Sequence, residues 1–257
     1  MDSKTIGAII VFSALALVLN LSPFKIPAPY ATFLIYQIWE IPIVAAFLLY
    51  GPKVGVTVAV INTLALLLIF TGELPTGPLY NLAAVLSMLF GIYVVHKIAP
   101  VFKGKFVGVD SVEFSVYLML IALSIVGALI QSLWWIFPGF VFGLLLTMAT
   151  IESRAESSAR MGTLSTSSTG GRDVLLVTTS TVVGAFARVI IMSIVNWTFL
   201  PFPPPVGFGL PQEVVVAMLP LVGVFNATLA LYTIPIGHSI ERVVGSRVKI
   251  AGWSQRT

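Results

Sequence analysis

The sequence predicts an all-α integral membrane protein, a bundle of transmembrane helices, and three observations carry that reading. Hydrophobic residues make up 58% of the 257 and charged residues only 9%, where a soluble domain carries about a quarter. Too few charges remain to cover a water-facing surface. Charge-free runs recur at 5–24, 54–72, 74–95, 114–151 and 214–240, and a helix needs roughly 20 apolar residues to cross a hydrocarbon core. The runs are near-continuous Leu, Ile, Val and Ala, not the short alternating segments of a membrane β-barrel.

The first run predicts a helix over 6–21, retained in the protein because no small-residue cleavage site follows it. A loop with Pro23, Pro27 and Pro29 occupies 22–32, and a second span over 33–50 contains Glu40 and Pro42. Gly51-Pro52-Lys53 reads as a tight turn into a span over 54–70. Gly72, Pro75, Gly77 and Pro78 mark the next loop, before a span over 79–95. The run at 114–151 has 38 residues and would reach about 57 Å as one helix, nearly twice the hydrocarbon thickness. Trp134-Trp135 and Pro138-Gly139 near its middle divide it into a hydrophobic hairpin over 112–151. A polar stretch over 152–173, rich in Ser, Thr and Gly, reads as a flexible cytoplasmic loop. Spans over 174–199 and 214–236 follow, separated by a loop with Pro201, Pro203, Pro204, Pro205 and Pro211. The expectation is one membrane domain, 1–257, with eight spans. Twelve of the 14 Lys and Arg residues then share one side, the exceptions being Lys25 and Arg188. By the positive-inside rule that side is cytoplasmic and holds both termini.

Several functions are excluded or lack support. The net charge of +4 follows from the basic loops, and no aromatic-interleaved basic patch points to nucleic acid. Cys is absent, and His96 and His238, both read as near the cytoplasmic surface, have no metal-ligand spacing. No Gly-x-Ser-x-Gly or His-Glu-x-x-His motif occurs. The Gly104-Lys105 pair lacks the remainder of a phosphate-binding loop, with Ala99 and Phe106 where Gly and Ser or Thr belong. No catalytic set, metal site or cofactor is therefore expected, and a pump would need a partner to supply energy.

Polar residues at membrane depth remain. Glu40 and Arg188 are the full charges placed inside spans, and such groups face a bundle interior or a water-filled cavity because lipid exposure is costly. They line a solute site or form a structural pair. Asn81, Asn196 and Asn226 lie in or near the halves of spans opposite the basic loops, where amides bond between helices or to a ligand.

Three blocks resemble a known family. Glu40-Ile-Pro followed by Phe47-Leu-Leu-Tyr-Gly-Pro-Lys-Val-Gly55 forms the first, and Gly77-Pro-Leu-Tyr-Asn-Leu-Ala83 the second. The third runs from Arg188 through Met192, Asn196 and Leu200-Pro201 to Leu219-Pro-Leu-Val-Gly-Val-Phe-Asn226. Their order and spacing are similar to the substrate-binding S components of energy-coupling-factor (ECF) vitamin importers, the riboflavin-specific subgroup most of all. The chain departs from that pattern at Asn62 and Leu229, where riboflavin members tend to carry Lys, and at Pro78 after Gly77. The resemblance implies six family-like helices with 112–151 as an insertion. It also implies high-affinity capture of a vitamin-like solute, with a membrane coupling subunit and ATP-binding-cassette ATPases as partners. A flavin would be cargo rather than cofactor. The solute-binding residues would be Asn81, Asn196, Asn226, Arg188 and Glu40, with Tyr80, Trp39 and Trp197 supplying flat surfaces. Ala14 and Ala16 on the first helix would contact the coupling subunit, since small residues let helices approach closely. Two rival readings are a solitary ion-coupled or passive transporter and a lipid-modifying membrane enzyme.

Overall fold

The computed structural model describes residues 3–23, 25–28, 31–69, 76–98 and 170–248. The expected hairpin over 112–151, and the loop over 152–173 as far as 169, lie outside the described residues. Helices α1 (Ser3–Leu21), α3 (Pro52–Ile69), α4 (Thr76–Ile98), α5 (Gly170–Phe199) and α6 (Gln212–Val248) each contain a stretch long and apolar enough to cross a membrane. The chain is a multi-pass membrane protein. Its described helices are apolar all round: Val11, Val18, Leu64, Leu68, Phe90, Phe186 and Ile194 are exposed, as side chains in lipid should be.

The expected span over 33–50 is not one helix. Strand β1 (Ile26–Ala28) pairs antiparallel with β2 (Ala31–Tyr36), in a register that sets Ile26 opposite Tyr36 and Pro27 opposite Ile35. Helix α2 begins only at Glu40 and ends at Tyr50. Pro42 gives a reason for the late start. In the first turn its missing N–H has no intrahelical partner to lose, whereas deeper in a helix it would remove a bond and clash with the preceding turn. The segment before it, Ala31-Thr-Phe-Leu-Ile-Tyr36, is rich in β-branched and aromatic residues that suit a strand. Glu40 stands in the first turn, where the helix dipole favours negative charge.

With 11 residues, α2 is about 16 Å long, roughly half a hydrocarbon core. Every residue from Glu40 to Leu49 is buried. The helix packs on α1, α3 and α6, and Ile43, Val44, Phe47 and Leu48 join Ala16, Val58, Met88 and Ile234 in the main core. On the other side α4, α5 and α6 pack in sequence. The α4–α5 crossing is close: a Cβ on Gly91 would stand 2.6 Å from Gly184 Cα and 2.7 Å from the Val183 carbonyl. Small residues at such a crossing let two backbones approach in lipid.

The β1–β2 hairpin is docked onto α6. Ala28, Tyr36 and Leu229 form a second apolar cluster, the Tyr36 and Phe225 rings lie 5.0 Å apart, and Tyr232 donates its hydroxyl to the Gln37 carbonyl at 2.6 Å.

Candidate functional site

Three elements converge on one buried polar network. Arg188 of α5 donates from Nη2 to Glu40 Oε1 at 2.9 Å and from Nη1 to Glu40 Oε2, a two-pronged pairing that uses both carboxylate oxygens. Its Nε donates to Asn226 Oδ1 on α6 at 2.9 Å, and its Nη1 reaches Met88 Sδ of α4 at 3.7 Å. Asn226 Nδ2 in turn donates to the Val222 carbonyl at 2.8 Å. Glu40, Arg188 and Asn226 are all buried. Arg188 lies 11 residues before the end of α5 and Asn226 lies 14 after the start of α6, so both sit about 16–21 Å along their helices. These are membrane depths, where an unpaired charge is strongly disfavoured. The planar guanidinium matches the carboxylate fork, so each charge is neutralised where it stands.

The other expected site residues are more dispersed. Trp39, just before α2, is buried, whereas Asn81 and Trp197 are exposed. Asn196 is half-buried and returns its amide to its own helix, Nδ2 to the Met192 carbonyl at 2.6 Å. Tyr80 is half-buried and points its hydroxyl at the Val206 carbonyl, 3.5 Å away. That carbonyl belongs to the proline-rich connection between α5 and α6, which is knitted by its own backbone. Phe208 and Leu210 donate to the Leu200 carbonyl at 3.1 and 3.3 Å, and Gly209 donates to the Phe202 carbonyl at 2.8 Å. Gly207 admits no side chain, since a Cβ there would overlap the Phe199 and Phe202 carbonyls. On α1, Ala14 is exposed and Ala16 is fully buried. Of the pair, only Ala14 lies on the surface of this chain.

Geometry adds residues that sequence reasoning did not place. Met88 contacts the network and Tyr232 the end of the β1–β2 hairpin. The two histidines meet inside the bundle: the buried His96 and His238 rings stack at 5.9 Å, and His238 Nδ1 lies 3.6 Å from Glu241 Oε2. Among the described residues no group of three His, Cys, Asp or Glu could hold a metal ion. Asn62 of α3 is buried with neither amide atom hydrogen-bonded among the described residues, and Asn20 Nδ2 of α1 and Gln37 Oε1 are likewise unpartnered. Buried hydroxyls divide between the two states: Ser13, Ser180 and Thr233 have no partner among the described residues, whereas others bond within their own helix. Thr63, Ser87, Thr181 and Thr228 each donate to a carbonyl three or four residues earlier in their own helix.

No family model matches the chain. The riboflavin transporter RibU of Staphylococcus aureus (strain TCH60) is 33% identical over 98 residues, which cover 37% of this chain and 50% of that relative. The chain thus spans about half the length of the curated relative it matches. A solved S component of a bacterial ECF transporter superposes with a TM-score of 0.54 at 18% identity, covering 97% of this chain and 99% of that one. The fold is that of an S component. Both similar proteins belong to transporters, and the S-component likeness expected from the three sequence blocks holds in three dimensions. Within this S-component fold the Glu40–Arg188–Asn226 network joins α2, α5 and α6 at membrane depth.

Proposed function

We propose that the chain captures a small vitamin-like solute for an ECF importer, with riboflavin as the first-ranked cargo. The observation that carries this reading is the S-component fold over nearly the whole chain, and the partial likeness to a riboflavin transporter ranks the cargo. The partners would be a membrane coupling subunit and ATP-binding-cassette ATPases, with Ala14 as the exposed small residue available to the former. The cargo residues would be drawn from Trp39, Tyr80, Asn81, Asn196, Trp197 and the Glu40–Arg188–Asn226 group. Both Glu40 oxygens accept from Arg188, so this carboxylate is engaged in a pairing within the bundle, and nothing in its geometry favours an ion-coupled solitary transporter.

Flavin fluorescence tests the reading directly. Purified protein should quench riboflavin at micromolar concentration. Asn226→Ala removes one cargo-facing or network hydrogen bond worth about 0.5–1.5 kcal/mol, more where a partner is left unpaired, so affinity should fall roughly threefold to more than tenfold. No quenching by the unaltered protein would retire the flavin assignment.

Orientation is part of the same proposal, with both termini in the cytoplasm of a cell-membrane protein. The chain has no Cys, so single cysteines report cleanly. Val206 is 47% exposed in the α5–α6 connection, and Ser246 is exposed near the end of α6. In intact cells, Val206→Cys should react with an impermeant thiol reagent and Ser246→Cys should not. The opposite pattern would invert the topology.

A further inference from the structure

We propose that Asn62 is held in reserve to read a neutral donor–acceptor edge of the cargo, such as the imide of a flat heterocycle. The inference rests on the capture reading above. Its basis is a buried amide with both of its polar atoms unused. Asn62 is 1% exposed, and neither its Nδ2 nor its Oδ1 has a hydrogen-bond partner among the described residues. It lies 10 residues into α3, about 15 Å along the helix and therefore within the hydrocarbon zone. Water is scarce there, and an amide without partners carries a desolvation penalty that hydrophobic replacements avoid. The surrounding face of α3 (Val58, Ala59 and Leu66) is apolar. The neighbouring Thr63 is satisfied by the Ala59 carbonyl of its own helix, so the local fold can serve a polar group and leaves this one unserved.

The elements packed on α3 carry similar groups. Helix α3 packs on α1 and on α2. The buried stripe of α1 contains Ser13 and Asn20, whose Oγ and Nδ2 also lack partners among the described residues, as does Oε1 of Gln37 just ahead of α2. Four polar residues on adjoining elements thus leave donors or acceptors unused among the described residues, and convergent polar groups in an apolar setting are what a ligand's polar edge needs.

Charge narrows the ligand class. The deep charges of Glu40 and Arg188 neutralise each other, and Asn62 itself is neutral. A charged group brought to this depth would find no free counter-charge among the described residues of these elements, whereas an amide or imide edge would both accept from Nδ2 and donate to Oδ1. A neutral ring bearing adjacent N–H and C=O groups fits. The isoalloxazine imide of riboflavin is one such edge.

Riboflavin and N3-methylriboflavin, which lacks the imide donor, provide the test with the full-length chain and its Asn62→Leu variant. Unaltered protein should bind riboflavin about tenfold or more tightly than the methylated analogue, because a site built to hydrogen-bond rejects a ligand lacking the group. Asn62→Leu should weaken riboflavin binding and abolish the preference. Discrimination that survives in Asn62→Leu overturns the proposal. The ligand-free melting temperature gives an independent readout: Asn62→Leu should melt higher, since it removes an unpaired buried amide, and a lower value would show that the amide has a partner inside the chain and overturn the proposal. Absence of riboflavin binding by the unaltered protein defeats the flavin assignment by itself. The role of Asn62 is then read by mass spectrometry of small molecules carried through purification. A neutral heterocycle retained by the unaltered protein and lost from Asn62→Leu supports the proposal, and equal retention or none overturns it.

Discussion

Replacing Arg188 by Ala should cost about 3–5 kcal/mol, because it strands a buried carboxylate. The total stability of a domain is commonly about 5–15 kcal/mol, so the variant should lose most of its folded, monodisperse population in detergent. The loss would come from the partner left behind. Glu40 would keep its burial without the fork that now neutralises both oxygens, and Asn226 would lose the donor at its Oδ1. The double variant Glu40→Gln with Arg188→Met should therefore recover much of the stability, since a neutral pair leaves no stranded ion. Arg188→Lys should be intermediate. It keeps the charge but loses the planar fork and the Nε bond to Asn226. Thermal melts of the four proteins decide the matter: if Arg188→Ala melts within a few degrees of the unaltered chain, the pair is not buried as described.

The second large effect is expected at the α4–α5 crossing. Gly91→Val must place carbon 2.6 Å from Gly184 Cα and 2.7 Å from the Val183 carbonyl. Both obstacles are backbone, so no side chain can swing aside. Overpacking typically costs about 1–3 kcal/mol, and more where the neighbours cannot yield. Gly184 and Arg188 lie about one helical turn apart on α5, so a displaced α5 would strain the ion pair as well. Gly7→Ala is the control, since nothing lies within 4 Å of its added carbon. It should be neutral or slightly stabilising, as Ala is the better helix former. Equal melting temperatures for Gly91→Val and Gly7→Ala would reject the close crossing.

Much of this architecture was legible in the chain because lipid makes simple demands. Charge-free runs near the hydrocarbon thickness marked α1, α3, α4 and α6, and the cost of intramembrane charge singled out Glu40 and Arg188 before any geometry was known. The β1–β2 hairpin was not legible. Ala31 to Tyr36 is largely apolar, so it lacks the alternation that separates a strand from a helix, and its docking against Phe225 and Leu229 depends on residues nearly two hundred positions away. The histidine stack was hidden for a similar reason, because His96 and His238 meet only when α4 and α6 are brought together. Asn62 stood in plain view as a departure from the family pattern. Its lack of partners among the described residues is a property of the packed helices and has no signature in sequence.

The position of Glu40 also bears on how the protein is made. Its partner Arg188 follows 148 residues later, and at about 5–20 residues per second the ribosome needs roughly 7–30 s to cover that distance. Throughout that interval α2 is a short segment bearing an acid without its base, and α6, against which it also packs, does not yet exist. Such a segment is a weak candidate for stable insertion by itself, since an acidic residue at membrane depth opposes partitioning. Membrane integration of α2 is therefore expected to be completed late, when α5 arrives, and a nascent chain truncated before Arg188 should leave this segment accessible to the aqueous phase.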